Sequence, residues 1–169
     1  MPVPGESNAP VIVAGVDGSP SSQAALRWAV RQAVLTGGTV EAVMAWQNTF
    51  VPGGFGGAPA AMIGDFNYQQ VSEKALAEVI SAVVDATDRT RVRSRVAEGH
   101  ASQVLLDAAA GADLLVVGSR GHGSFADALL GSVSQNCVHH AQCPVVIMRG
   151  ADETLVRATS AMRASEATG

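Results

Sequence analysis

Short apolar runs alternate along this chain with longer stretches in which apolar residues recur at helical spacing. Runs of β-branched and small apolar residues that end in turn residues are typical of buried strands. One run instead alternates arginine with smaller residues, a period of two that suits a strand near the edge of a sheet. Strands are predicted at residues 11–16, 39–46, 91–97, 114–117 and 144–148.

The stretches between these runs have the helical period and recognisable helix ends. Ser19 is an expected N-cap with Pro20 at the first helical position, and Gly37-Gly38 ends the same pattern. Helices are predicted from this cap to the glycine pair and over residues 67–87, 101–110 and 132–141.

Strands that alternate with helices favour a parallel sheet, because a parallel crossover needs a dozen or more residues. We predict an α/β fold with a single doubly wound open sheet of five mostly parallel strands, in the order 3-2-1-4-5, and helices on both faces. The predicted domain covers residues 11–149 and includes a flexible glycine-rich loop at 47–66. Residues 1–10 are an N-terminal extension, and residues 150–169 are a tail that we expect to be poorly ordered.

Composition narrows the possible functions. The 169 residues and 17.2 kDa favour one domain, and 47% hydrophobic residues are enough for a core. A net charge of −4 with a single lysine, Lys74, argues against a general nucleic-acid binder.

The sequence has no apolar run near the ~20 residues of a membrane helix and no secretory signal, so we expect a cytoplasmic protein with no membrane partner. Cys137 and Cys143 are expected to be free thiols.

The segment from residue 114 to residue 134 carries the chemistry. An apolar strand leads into several glycines and then into a helix start with hydroxyl groups. Glycine lets the backbone approach a ligand closely, and the first amides of a helix favour anions. These features predict a phosphate site, whereas the alternative interpretation makes the glycines simple turn residues. The glycines are Gly118, Gly121, Gly123 and Gly131.

An acidic residue is expected beside this segment. Ligands of open α/β sheets bind at the carboxyl ends of strands where the strand order reverses. In the order 3-2-1-4-5 the first and fourth strands are neighbours there, so Asp17 would face Gly118. The chain has no G-x-x-x-x-G-K-[ST], which excludes a P-loop NTPase, and the absence of G-x-G-x-x-G after the first strand disfavours a dinucleotide-binding dehydrogenase.

Three segments resemble the universal stress protein family. Its ATP-binding members carry G-x2-G-x9-G-[ST], which is read here as Gly118, Gly121, Gly131 and Ser132. The opening VIVAGVDGSPSSQAALRWA and the closing GSVSQNCVHHAQCPVVIM also match in order and spacing. The resemblance covers about residues 11–149 and implies an adenine nucleotide alpha hydrolase-like fold.

The resemblance also implies roles for individual residues. Gly118 and Gly121 would line the ribose and phosphates, and Asp17, with Gly15 beside it, would lie near the ribose and the metal-phosphate region. Main-chain groups at Ala45 would bind adenine. Arg120 would add positive charge, and Mg²⁺ would bridge the phosphates. Backbone and hydroxyl groups would bind phosphate at Gly131, Ser132, Val133 and Ser134.

The predicted function is that of an ATP-binding universal stress protein, a nucleotide-dependent regulator in the stress response. A backbone cradle binds ground-state phosphates, whereas rapid hydrolysis would need a positioned water, a base and cationic clamps. Three alternatives stay open. They are slow ATP hydrolysis with Asp17 as base, binding of AMP or cyclic AMP, and a ligand-free module that binds an unknown protein partner.

Two further features concern partners and metals. The last strand is apolar and lies at a sheet edge, so we expect a homodimer formed through it. The C-x-H-H-x2-C pattern that starts at Cys137 resembles a metal motif. Adjacent histidines in a helix point about 100° apart, however, so His139 and His140 cannot readily share an ion.

Overall fold

A computed structural model describes residues 9–47, 67–121 and 130–150. In this part of the chain five parallel strands form one sheet in the order β3-β2-β1-β4-β5, as predicted. The strands are β1 (Val11–Gly15), β2 (Thr39–Trp46), β3 (Val92–Glu98), β4 (Leu114–Gly118) and β5 (Val145–Met148). The helices are α1 (Pro20–Thr36), α2 (Tyr68–Val83), α3 (Ala101–Ala109) and α4 (Ser132–His140), with a short 3-10 turn at Arg89–Arg91.

Some predicted segments lie outside the described residues. They are residues 1–8 of the predicted extension, 48–66 of the glycine-rich loop, 122–129 with Gly123, and 151–169 of the tail. Among the described helices, none is both long enough and apolar enough to cross a membrane.

Helices cover both faces of the sheet, and each face has its own apolar core. On one face, side chains of α1 and α2, Leu76 among them, pack against alternate residues of the strands such as Ile12 and Ala14. On the other face, α3 and α4 pack against the intervening positions, which include Val13, Val43 and Leu115. The alternation follows from the two-residue period of a strand. The central strands are therefore apolar on both sides, as expected of a doubly wound sheet.

Helix α1 begins and ends where its sequence predicts. The Ser19 side chain accepts a hydrogen bond from the Ser22 N–H at 3.3 Å, and Pro20 takes the first helical position. At the other end Gly37 adopts a φ of 72° and donates its N–H to the Ala33 carbonyl. A left-handed glycine of this kind is a common helix terminator.

Helix α2 is shorter than the predicted span of residues 67–87. Asn67 caps its start by accepting the Gln70 N–H at 3.0 Å, but the helix ends at Val83. The reason is Arg89, which folds back on this end. Its guanidinium donates to the Val84 carbonyl at 3.1 Å and to the Ser81 carbonyl at 2.8 Å. These bonds satisfy carbonyls that have no partner within the helix.

Two leucines of α1 test how much the core contributes to stability. Leu26 is fully buried between helix and sheet, whereas Leu35 is 78% exposed. We expect Leu26→Ala to lower the free energy of unfolding by about 2–5 kcal/mol through lost burial and the cavity left behind. Leu35→Ala, the matched control on the same helix, should change it by less than about 0.5 kcal/mol. Urea denaturation measures both values, and equal losses in the two variants would contradict the packing described here.

Candidate functional site

The reversal of strand order between β1 and β4 opens a cleft at the carboxyl edge of the sheet. Its volume is about 510 Å³, within the range usual for small-molecule sites. All ten residues predicted to bind a ligand line this one cleft. They are Gly15, Asp17, Ala45, Gly118, Arg120, Gly121, Gly131, Ser132, Val133 and Ser134.

The sequence analysis missed eight residues that also line the cleft. They are Val16, Ser19, Ser22, Val43, Ala101, Leu105, Val117 and Leu130. Most have the spacing of ordinary core or cap positions, so no local signal separates them from structural residues. Leu105 illustrates this, since it belongs to the periodic apolar face of α3. A Cβ on Gly15 would stand only 3.0 Å from Leu105 Cδ1, so the glycine is what lets this helix approach the cleft floor.

The N-terminus of α4 forms one wall of the cleft. Gly131 is its N-cap and donates its own N–H to the Ser119 carbonyl at 2.8 Å. The Gln135 N–H then donates to the Gly131 carbonyl at 3.0 Å. The three amides between them, at Ser132, Val133 and Ser134, have no partner within the helix, and no side chain caps this end. These three N–H groups are suited to bind an anion.

The Ser134 hydroxyl holds α4 against the end of β4. The side chain is buried and donates to the Gly118 carbonyl at 2.6 Å. Because this bond uses the hydroxyl proton, what Ser134 offers a phosphate in this geometry is its backbone N–H. Phosphate binding by Ser134 stays a prediction, in which the donor is the backbone N–H and not the hydroxyl.

Gly118 has a packing role that the motif alone does not reveal. A Cβ at this position would lie 2.8 Å from both the Ser21 carbonyl carbon and the Ser22 nitrogen, and would also meet Ser21 Oγ. Contacts this short with backbone atoms require the chain to move. The glycine therefore lets the first turn of α1 lie directly against the end of β4. The same turn contacts the next residues of the chain, because Ser21 Oγ donates to the Arg120 carbonyl.

Asp17 lines the same cleft from the turn between β1 and α1. One carboxylate oxygen accepts the Ser19 N–H at 2.9 Å, and the Asp17 N–H donates to Ser22 Oγ at 3.3 Å. The other carboxylate oxygen is the atom that a Cβ on Gly121 would meet at closest distance. Asp17 and Arg120 are the charged side chains among the described residues that line the cleft.

The cysteines and histidines of the C-x-H-H-x2-C pattern differ in their positions, because some side chains are buried and others lie on the surface. Cys137 and Cys143 are both free thiols, as predicted. Cys137 is fully buried in the core shared with α3, and this burial raises the pKa of its thiol to about 11. His139 and His140 are exposed. Within the described ranges, no group of three or more histidine, cysteine or acidic side chains is placed to hold a metal ion.

Sheet order and cleft together define a doubly wound α/β protein whose crevice lies at the switch point of the sheet. The model of the universal stress protein family matches residues 10–149. The chain belongs to the universal stress protein family.

Relatives from mycobacteria agree with this assignment. A universal stress protein of Mycolicibacterium smegmatis is 32% identical over 149 residues, which cover 84% of this chain and 49% of the relative. A universal stress protein of Mycobacterium tuberculosis is 35% identical over 149 residues, which cover 87% of this chain and 48% of the relative. The chain thus spans about half the length of these relatives.

Solved structures share the fold. A universal stress family protein from Burkholderia pseudomallei has a TM-score of 0.59 at 21% identity, and the match covers 85% of this chain and 98% of that one. A universal stress protein in complex with cAMP has a TM-score of 0.55 at 25% identity, with 82% of this chain and 95% of that one covered. The universal stress protein from Archaeoglobus fulgidus in complex with dAMP scores 0.56 at 21% identity, over 83% and 97% of the two chains.

The first two glycines of the motif, Gly118 at the end of β4 and Gly121 after it, should respond differently to substitution. In Gly118→Ala the new methyl group meets backbone atoms of α1, so we expect the free energy of unfolding to fall by about 1–3 kcal/mol or more. In Gly121→Ala it meets the movable end of Asp17, and the loss should be much smaller. Thermal and urea denaturation without any ligand measure both effects. Equal stability of the Gly118→Ala variant and the natural chain would show that the contact with Ser21 and Ser22 is not a constraint.

Proposed function

We propose that this protein binds ATP, with Mg²⁺ held through the phosphates, and acts as a nucleotide-dependent regulator in the cytoplasmic stress response. The observation that carries the proposal is the set of three amides without a helix partner at the start of α4, in the wall of a cleft that all ten predicted site residues line. Family membership and two structural neighbours that bind adenine nucleotides support it.

The donor groups of the cleft fit a phosphate chain. Backbone amides bind phosphate oxygens in the ground state, and the adjoining glycine backbone at Gly121 leaves room for a close approach. Arg120 adds one positive charge. A single carboxylate, Asp17, is too few ligands for a metal cage, so Mg²⁺ would be held mainly by phosphates and water, with Asp17 as the protein group nearest to it.

The opposite end of the cleft fits a purine base. Its walls are the small and apolar side chains of Val43, Ala45, Ala101 and Leu105. Of the β2 residues that line the cleft, Ala45 is the last in sequence. Main-chain groups at this end of the strand can hydrogen-bond the edge of a base. The cleft is thus apolar at one end and rich in amides at the other, which matches the two ends of a nucleotide.

A regulator is favoured over a fast catalyst by the charges of the cleft. Phosphoryl transfer needs several cations around the transferring group and a positioned nucleophile. The described lining offers Arg120 and Asp17. This arrangement is suited to binding, and any hydrolysis would be slow, with Asp17 as the candidate base.

Binding of AMP or cyclic AMP is the second candidate. It is favoured by neighbours whose complexes contain cAMP and dAMP, each with a single phosphate. Three adjacent amides are enough for one phosphate group, so the geometry fits this ligand class as well. Relative affinities for ATP, ADP, AMP and cyclic AMP decide between the two candidates.

Substitution of Ser132 by proline tests the amide wall directly. Proline suits the first position of a helix, and Gly131, with φ −72° and ψ 163°, has the backbone that a residue before proline adopts. Ser132→Pro therefore removes one N–H from the cleft while the helix is kept. We expect the dissociation constant for Mg-ATP to rise about tenfold or more, as for loss of a hydrogen bond to a charged group. Calorimetric titration of protein stripped of nucleotide measures it.

Ser132→Ala is the matched control, because it removes the hydroxyl and keeps the N–H. Its affinity should stay within about threefold of the natural chain if the amide is the main donor. Equal affinity of the proline variant and the natural chain would rule out the amide wall as the phosphate site. If the natural chain binds none of the four nucleotides, the proposed function is wrong and the protein is better treated as a protein-interaction module.

We also propose that two copies assemble through β5. This strand is at the sheet edge, and its four apolar residues, Val145–Met148, all stay partly exposed. An apolar open edge favours pairing with a second copy. Light scattering at micromolar concentration should therefore give about twice the chain mass of 17.2 kDa. A mass that stays at one chain over the whole concentration range would refute the dimer.

A further inference from the structure

A hydrogen bond crosses the rim of the cleft at its apolar end. Gln47 Nε2 lies 2.7 Å from His100 Nδ1, and the two residues are 53 positions apart in sequence. Gln47 directly follows β2, and His100 is the N-cap of α3. The bond therefore joins the two elements whose ends form this part of the cleft wall. We call this Gln47–His100 pair the rim tie.

The rim tie does not cap helix α3. The His100 side chain makes no capping hydrogen bond to α3, whose start is defined by backbone geometry alone. Both side chains are exposed, so neither contributes to the core. A bond between two exposed side chains of different elements adds a modest restraint on the position of one element relative to the other.

The cleft residues beside the rim tie belong to the base end. Ala45 lies two residues before Gln47, and Ala101 follows His100 directly, and both line the cleft. A second bond supports the same junction, because the Gly99 N–H donates to the Trp46 carbonyl at 2.8 Å. The parallel pairing of Ala45 with Ala97 and of Trp46 with Glu98 already holds the backbone at this junction, and the rim tie adds a bond between side chains.

We propose that Gln47 and His100 are positioning residues that hold the base end of the cleft at the width a purine needs. The inference rests on the proposed nucleotide site. It assigns no contact between these side chains and the ligand. Their loss would leave the amides of α4 in place and loosen the wall between Ala45 and Ala101. Affinity should then fall by the same factor whatever the number of phosphates.

The test is a double-mutant cycle with three ligands. Gln47→Ala, His100→Ala and the double variant are titrated with AMP, ADP and Mg-ATP. Each single variant should bind every ligand about three- to tenfold more weakly, the range that one net hydrogen bond accounts for. The double variant should be no weaker than either single one, because the two changes remove one shared bond.

Gln103→Ala is the matched control. Gln103 is also an exposed glutamine with a side-chain bond, to Asp107 at 2.8 Å, but both partners lie within α3. This variant should bind all three ligands like the natural chain. A double swap, Gln47→His with His100→Gln, should recover part of the affinity, which a general loss of stability would not produce. Circular dichroism and thermal denaturation confirm that each variant is folded.

The outcomes separate the two proposals. If the natural chain binds nucleotides and the rim variants bind equally well, the rim tie has no positioning role and the nucleotide site stands. Losses that add in the double variant, or that grow with phosphate number, also overturn the inference. If the natural chain binds none of the ligands, the nucleotide site fails, and the positioning role fails with it.

Discussion

Parallel pairing between β1 and β4 is the constraint on which the site depends. The two strands pair in register from Ile12 with Leu114 to Ala14 with Val116. After β1 the chain enters the turn before α1, and after β4 it enters the segment that contains Gly121. Because α1 packs on one face of the sheet and α4 on the other, the exits of these neighbouring strands diverge and leave the cleft between them. With a strand order in which β1 and β4 were not neighbours, Asp17 would not lie against Gly121.

Of the helices that begin at this edge, α1 and α4 have first turns with different functions. Helix α1 is capped by Ser19, and its buried serines bond to neighbouring backbone, so its N-terminus is used within the fold. Helix α4 begins at a glycine that offers no side chain, so no side chain caps its first amides, whose residues line the cleft. The difference of one residue type, serine against glycine at the N-cap, separates a structural helix end from one that can bind an anion.

Periodicity and cap residues were sufficient for the strands, whereas ten of the cleft residues were predicted from the rule that sites lie at strand-order reversals together with the family resemblance. The sequence was not sufficient for features made by tertiary contact. The early end of α2 depends on Arg89 folding back onto the Ser81 and Val84 carbonyls. The bond from Ser134 to Gly118 and the position of Leu105 in the cleft floor likewise join residues whose local patterns are those of an ordinary helix.

Because of its packing, the presence of Gly118 is weak evidence that a chain of this fold binds a ligand. Because a side chain here would displace the backbone of α1, selection for a folded protein is enough to retain this glycine. A descendant that had lost its ligand would keep Gly118 all the same. Among the described residues, a Cβ on Gly121 would meet the Asp17 side chain and no backbone atom, so packing constrains this position less. Of the two, the second glycine is the better indicator that a cleft is still in use.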